Sequence, residues 1–523
     1  MNNDENTYNH HSINYLQQIA HTLHNRKHQA YLVGGSVRNL LLREPCVDWD
    51  MAIDGDVINT AKQIAKTLGG FFVHMHDKAN RIIIKDRHQE WIFDLSPLQG
   101  ESIEADLHTR DFTLNALAVP LADVLDHLTQ DKELAPIDPL NGMNDLVNKQ
   151  LRMVHDRVFQ IDPLRMLRAV RFMRRYQLTL EEYTEQALKS DAPLLLQVAS
   201  ERIHEELYTI LQPQGATDVL RFLDKHNLLT TLIPELLPAR GMPQPSLHHW
   251  DVLDHSLETV AALEELTQIL QQDDRRDANG GCTDTDGDKP RPYARSLPHL
   301  NDGDLSEIRQ LLLEAEQQKL FQFASLETPA AKLGALLHDI GKTVTYTADD
   351  NGNITFYHHP EAGVPLAQQI MQRIHASTHD RRLVQQIVAH HMRPGQLSYH
   401  GVTPRAIRRY FVDLGPTGII VALISLSDHL AMRGPEPLTE HWWRHLSIVR
   451  QLLQSYIRER ESIIPPRLLQ ANELLRHFEL QPGPIIGQLL ESIAEAQADG
   501  IIHSKEDALW FAKEQLERIK QNA

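Results

Sequence analysis

Cysteine is almost absent from this chain: two residues in 523, Cys46 and Cys282. They lie far apart and form no C-x-x-C pair, which excludes a disulfide framework and a thiolate zinc site and predicts two free thiols. Long apolar runs are missing as well. No stretch of about eighteen apolar residues occurs, and Met1 to Asn14 is polar and rich in His and Asn. Neither a membrane span nor a signal peptide is expected, and the reading is a cytoplasmic protein with no membrane partner. Net positive charge is lacking too, with 52 Lys and Arg against 70 Asp and Glu for a formal charge of −18. A surface of that sign repels phosphates unless local charge overrides the average. One stretch overrides it: from Leu151 to Tyr176, Arg152, Arg157, Arg165, Arg168, Arg171, Arg174 and Arg175 meet only Asp156 and Asp162, a local net of +5 from seven arginines and two aspartates. It reads as a stripe suited to a phosphate backbone.

What is present is enough hydrophobic sequence, 41% of residues, to fill several cores, so three or four units are expected. Residues 30–33, 47–53, 71–75, 81–85 and 91–95 are short apolar or alternating runs punctuated by Gly and Pro, the pattern of strands in a mixed α/β segment. After about Asp145 helix-period patterns dominate, as in Pro163 to Arg175, Glu201 to Leu211 and Ser447 to Ile457. Residues 271–304 turn to Asp, Gly, Arg, Pro and Asn and read as a mobile insertion. Its Asp284-Thr-Asp286-Gly-Asp288 imitates the start of a calcium loop, but Lys289 and Arg295 stand where that loop needs Gly and Glu, which leaves a solvated acidic loop.

Two clusters carry chemistry. Tyr31-Leu-Val33 runs as a strand into Gly34-Gly35-Ser36-Val37-Arg38, and a glycine turn at a strand-to-helix junction lets phosphates approach the backbone, with Ser36 and Arg38 as side-chain contacts. On spacing alone the glycines serve a conformational role equally well. Ten residues on, Val47-Asp48-Trp49-Asp50-Met51-Ala52-Ile53 places two aspartates at i and i+2 of a strand, on one face. Adjacent carboxylates repel unless a cation joins them, and hard oxygen donors suit Mg²⁺, which supports a two-metal reaction at a phosphate. Asp94, in Trp91-Ile-Phe-Asp94-Leu, is the candidate third acid.

The G-G-S-V-R and D-W-D motifs resemble the opening of the class II tRNA nucleotidyltransferase (CCA-adding enzyme) and bacterial poly(A) polymerase family. Further motifs follow in order: Arg110-Asp111-Phe112-Thr113-Leu114-Asn115-Ala116, associated with ribose contact; Gly142 to Asp145 and on to Arg152, similar to a head-to-neck hinge; Asp162-Pro-Leu-Arg165-Met-Leu-Arg168-Ala-Val-Arg171-Phe172, similar to a nucleotide-recognition helix; and Ser200-Glu201-Arg202-Ile203. Five motifs over about 200 residues are specific. The chain departs from the pattern at Asn39, where an Asp is usual, at Thr109 in place of Arg, and at Ile161 in place of an acid. The resemblance implies Asp48 and Asp50 as catalytic metal ligands and Gly34, Gly35, Ser36, Arg38, Arg110, Asp111, Asn115, Asp162, Arg165 and Arg168 at the nucleotide. An Asp acceptor beside an Arg donor matches the Watson–Crick edges of C and A and mismatches U and G. Asp162 and Arg165, three residues apart on a helix, share a face. Asp162 before Pro163 is also a good helix N-cap on spacing alone.

The second cluster is Leu336-Leu337-His338-Asp339-Ile340-Gly341-Lys342, which with upstream His and downstream Asp resembles the HD phosphohydrolase superfamily. That resemblance implies His255, His338, Asp339 and Asp428 as ligands of a second divalent ion, with His359 and His390 or His391 lining the site. Mixed imidazole and carboxylate donors suit a transition metal or Mg²⁺ acting on phosphate esters. Near the C-terminus, Leu469 to Leu474, Leu480 to Gly487 and Ala496 to Ile501 resemble the family's tail, with Ala471 and Glu473 where Gly and Asp are usual. The resemblance makes Arg444, Arg450, Arg458 and Arg460 candidate phosphate contacts.

The expected architecture is α+β: a polymerase-β-like nucleotidyltransferase head with a mixed sheet (12–141), then an all-helical neck (142–240), HD domain (241–435) and tail (436–523). The implied activity is template-independent addition of CMP and AMP from CTP and ATP to the 3′ end of tRNA with release of pyrophosphate. CC-only addition, A-only addition and poly(A) synthesis stay open beside it. A metal phosphohydrolase and a non-catalytic RNA-binding protein are the readings from other classes.

Overall fold

The computed structural model describes residues 10–76, 79–86, 89–271, 300 and 302–521. One compact unit ends at Val198 and a second begins at Ala199, a division inside the stretch read as helical neck. The first unit is built on a six-stranded mixed sheet of β1 (Ala30–Val33), β2 (Asp48–Ile53), β3 (Phe71–His76), β4 (Ala79–Lys85), β5 (Glu90–Pro97) and β6 (Ala118–Pro120), in the order β3-β4-β5-β2-β1-β6. The β2/β5 pair is parallel and the other pairings are antiparallel.

Alternation gives the sheet two unlike faces. Trp49, Met51, Ile53, Ile82, Ile84, Trp91, Phe93 and Leu95 point to one side, where Leu16, Ile19 and Leu23 of the His10–Asn25 helix and Ala61 and Ile64 of the Val57–Leu68 helix bury them. At about 1.5–3 kcal/mol for each large apolar side chain, this face holds the unit together. The opposite face is covered over β1, β2 and β6 by a small core of Val33, Ala52, Ile103, Leu107, Ala116 and Ala118. Asp48, Asp50 and Asp94 also lie on that face, on the central β2/β5 pair.

In the second unit the Val252–Gln271 helix packs on the Thr417–Met432 and Pro329–Leu337 helices, and Thr378–His390 packs on Pro329–Leu337 and His359–Arg373. Thr417–Met432 is apolar nearly all round, as a central helix must be, with Ile419, Val421, Ala422, Leu423, Ile424 and Leu426 buried. Lys332 is a buried cation in this bundle: its ammonium donates to the carbonyls of Leu211 (2.8 Å), Gln212 (3.2 Å) and Pro213 (2.8 Å) and pairs with Glu264. Glu264 in turn accepts from the backbone N–H groups of Ala216 and Thr217. One ion pair thus closes the end of the Ser200–Leu211 helix and the start of Ala216–Lys225.

The tail has its own core of Leu469, Leu474, Ile486, Leu489, Ile493, Ile502, Ala508, Ala512 and Leu516. Gln470 and Glu473 form a reciprocal capping box there, which gives Glu473 a structural task. Most of the 271–304 insertion, Cys282 included, lies outside the described residues; Asp302–Leu305 turns into the Ser306–Gln317 helix. Among the described residues no single helix is long and apolar enough to cross a membrane.

Candidate active site and metal cluster

Parallel pairing sets Asp94 directly opposite Asp50 and Ile92 opposite Asp48, so three acids meet on one sheet face. Burial pushes the Asp50 carboxyl up to about 6, with repulsion from Asp94 and Asp48 adding to it and Arg110 opposing. Burial and Asp94 raise Asp48 in the same direction. Oxygen donors that repel one another are the donor set a hard divalent cation relieves. Asp94 is also gripped by Arg81 of β4 through two hydrogen bonds, of 2.8 and 2.7 Å. Sequence reading missed Arg81; its place on an alternating strand gave the face, but only the β4/β5 register puts it beside Asp94.

The turn after β1 is fitted to this group. Gly34 has φ 64°, a region L side chains rarely enter, and a Cβ there would sit 3.0 Å from an Arg110 guanidinium nitrogen and 3.9 Å from Asp50 Oδ2. Gly35 likewise lies against Asp50. Ser36 is turned inward: its hydroxyl accepts from the Asp50 N–H (2.7 Å) and donates to the Asp48 carbonyl (3.0 Å), bracing the strand that carries both acids. Arg38 is buried, donates to Asn115 Oδ1 and Asn39 Oδ1, and lies over the Tyr176 ring at 4.4 Å. Asn39, one of the departures from the family pattern, also accepts from the Tyr176 hydroxyl at 3.4 Å.

Asp111 is the hub of the next layer. It accepts from Asn115 Nδ2 (3.0 Å) and the Phe112 N–H (2.9 Å) and pairs with Arg168 at 2.7 Å. Burial opposes its ionisation, but Arg168 and these bonds outweigh burial and hold its pKa low. Arg110 pairs with the buried Asp106. Arg165 donates to the carbonyls of Arg110 (3.2 Å) and Thr109 (3.1 Å), while Asp162 accepts from the Leu164 N–H at 3.3 Å. Contrary to the expectation from spacing, Asp162 is not the N-cap and does not share a helix face with Arg165: it is extended at the end of the Val158–Ile161 helix, and the Arg165–Tyr176 helix begins after Leu164 with no side-chain cap. Much of the arginine stripe is engaged within the unit, Arg152 with Asp145 and Arg175 with Glu44 besides Arg165 and Arg168.

In the second unit His255, His338, Asp339, His359, His391 and Asp428 converge. Three overlapping triplets of their ligand atoms each fall within 4.8 Å of one another, close enough to share a metal ion. Asp428 accepts from His255 Nε2 at 2.9 Å, and Asp339 lies 3.1 Å from His359 Nε2 and 3.5 Å from His391 Nε2. His338, His359 and His391 each bond through Nδ1 to the carbonyl three residues earlier, of Ala335, Phe356 and Val388. That fixes the Nδ1–H tautomer and aims every Nε2 lone pair inward. His338 Nε2 is buried without an aligned hydrogen-bond partner although Asp339 Oδ2 is 3.2 Å away, so the donors fit a cation. Burial works against charge on His338, but Asp339 and Asp428 outweigh it and, without a cation in the cluster, push its pKa up to about 10, so a proton on Nε2 holds the position from which a metal ion would displace it. Lys342, also unsuspected from the sequence as a member, pairs with Asp339 at 2.6 Å. Gly341 is required by crowding: a Cβ would meet the His359 carbonyl oxygen at 1.9 Å.

Adjacent residues part company here. His391 is buried in the cluster, whereas His390 is half-buried and belongs to none of its triplets. Of the tail arginines, Arg450 pairs with Glu307 and Arg458 with Glu314, and Arg460 lies over the Tyr456 ring.

Comparison with known proteins agrees with this layout. The chain matches the poly A polymerase head domain over residues 30–152, a probable RNA-binding site of polymerase A over 177–240, and the HD domain over 313–433. The A-adding tRNA nucleotidyltransferase of Deinococcus radiodurans is 29% identical over 492 residues, 92% of this chain and 95% of that protein. The CC-adding tRNA nucleotidyltransferase of Synechocystis is 28% identical over 512 residues, 96% and 98% of the two chains. In fold, the chain is similar to a CCA-adding enzyme with ATP (TM-score 0.60, 19% identity, 98% and 95% covered) and to the Thermotoga maritima CCA-adding enzyme complexed with tRNA (0.56, 19%, 97% and 96%). The chain belongs to the class II CCA-adding and poly(A) polymerase family, with a poly(A) polymerase head, an RNA-binding segment and an HD domain.

Proposed function

We propose that the protein transfers CMP, AMP or both from CTP and ATP to the 3′ hydroxyl of tRNA and releases pyrophosphate. The observation that carries this reading is the acid group of exposed Asp48 and half-buried Asp50 and Asp94 on one sheet face, against the Gly34-Gly35 turn. Asp48 and Asp50, with Asp94 beside them, are the residues that would hold Mg²⁺, which supplies activation of the attacking hydroxyl and charge neutralisation at the triphosphate. Ser36 keeps the two aspartates in register, the glycine turn leaves room for phosphates, and Arg110 lines that space. Asp162 and Arg165 remain our candidates for choosing C and A. In the arrangement described, Arg165 is bonded to backbone carbonyls, so reading a base requires it to exchange those bonds for the base edge.

The relatives include both A-adding and CC-adding enzymes at similar identity, so the extent of addition is a matter for experiment. Incubation with tRNAs lacking CCA, lacking only the terminal A, or complete, each with one labelled nucleotide, separates the outcomes. A CCA enzyme extends the first two, a CC enzyme only the first, an A enzyme only the second, and a poly(A) polymerase extends all with ATP. No incorporation on any acceptor overturns the proposal. A phosphohydrolase activity in the HD domain is the second reading, favoured by the converging Nε2 atoms. Metal-dependent phosphatase or phosphodiesterase activity that disappears in His338→Ala with Asp339→Ala supports it, and activity that survives excludes it.

A further inference from the structure

The face that carries Asp48 and Asp50 does not end at Asp94. Strand register continues it across β4 and β3 in two rows: Asp50, Asp94, Arg81 and Val73 in one, Asp48, Ile92, Ile83 and Phe71 in the other. β3 is the edge of the sheet, and there Phe71 is 64% and Val73 38% exposed. The small core that closes this face over β1, β2 and β6 draws no residue from β3 or β4. Beside the acids there is thus an apolar shelf, carried on β5 and β4, whose other face is packed with Ile82, Ile84, Trp91, Phe93 and Leu95, and ending in an exposed aromatic ring on β3.

Direction decides what the shelf is for. Gly34 and Gly35, in the turn after β1, lie against Asp50, and the Arg110 guanidinium lies beside Gly34, which puts the phosphate-accepting space on the β1 flank. In phosphoryl transfer the attacking and leaving oxygens lie roughly in line, so an acceptor hydroxyl arrives from the opposite flank, the one formed by β5, β4 and β3. Three strand spacings separate Asp50 from Val73, about 14 Å, room for a few unpaired nucleotides. Aromatic and apolar surface suits them, because every base has a π-face and stacking tolerates any sequence. Resting on the transferase reading, we propose that Phe71, Val73, Ile83 and Ile92 form the platform on which the unpaired 3′ end of the acceptor RNA stacks, with a base over Phe71.

The test uses the full chain with tRNA lacking its terminal nucleotides, and Phe71→Ala, Val73→Ser and Phe71→Trp. Phe71→Ala raises the acceptor KM about ten-fold, the loss expected for one base–aromatic stack, and moves the nucleoside triphosphate KM by less than about two-fold. Phe71→Trp restores the acceptor KM. In a binding assay without nucleotide, 2-aminopurine placed as the terminal base is quenched by the parent and by Phe71→Trp, and much less by Phe71→Ala. An unchanged acceptor KM, a loss that follows the triphosphate instead, or dissociation of a dimer with acceptor KM unaltered overturns the platform. A parent that incorporates nothing sinks the transferase reading, and the 2-aminopurine measurement then still decides whether RNA stacks on Phe71.

Discussion

Asp50 sits in an environment that disfavours its own charge. With its pKa raised from 3.8 to about 6 by burial and two neighbouring acids, the folded chain binds its proton more tightly than the unfolded chain does. The stability this gives is fully present below the unfolded pKa and is lost as pH rises through the folded one. Asp50→Asn removes the penalty. Without divalent cation, its stability advantage over the parent grows between about pH 4 and pH 6 and then levels at on the order of 2–3 kcal/mol. Urea denaturation at pH 4 and pH 7.5 measures it, and an advantage equal at both pH values contradicts the assignment. Activity is lost in the same variant, which separates stability from function at one carboxylate.

At the scale of elements, the strands were legible because alternation and glycine punctuation mark them, and 30–33, 48–53, 79–85 and 90–97 form within a few residues of expectation. What periodicity cannot supply is register between distant strands. Asp94 meets Asp50 through a parallel pairing of segments some forty residues apart, and Arg81 enters only through the next strand. Nor could spacing choose between His390 and His391, since one helical step of about 100° decides which is buried. The cation at the end of the Ser200–Leu211 helix was equally invisible, because Lys332 meets those carbonyls across 120 residues. Lys332→Met fills the same volume but strands three carbonyls and the Glu264 charge. It lowers stability by about 3 kcal/mol, read as a drop in the melting temperature of the second unit. Lys332→Arg changes it less.

Across the whole molecule, the two units offer a metal different chemistry. The first presents carboxylates alone; the second presents imidazoles with carboxylates. Nitrogen-rich sites favour transition metals and oxygen sites favour Mg²⁺, so a nitrogen-donor chelator such as phenanthroline should strip the HD cluster while nucleotide transfer in excess Mg²⁺ continues. Metal analysis and incorporation assays on the same sample check this, and parallel loss of both would contradict separate sites. The three anchored histidines add a consequence of their own. Each takes its orientation from a carbonyl three residues back along its own chain, not from the other ligands. Such a site tolerates damage in instalments: with one ligand gone the remaining rings keep their aim, and affinity declines stepwise where a mutually propped cluster would collapse at the first loss.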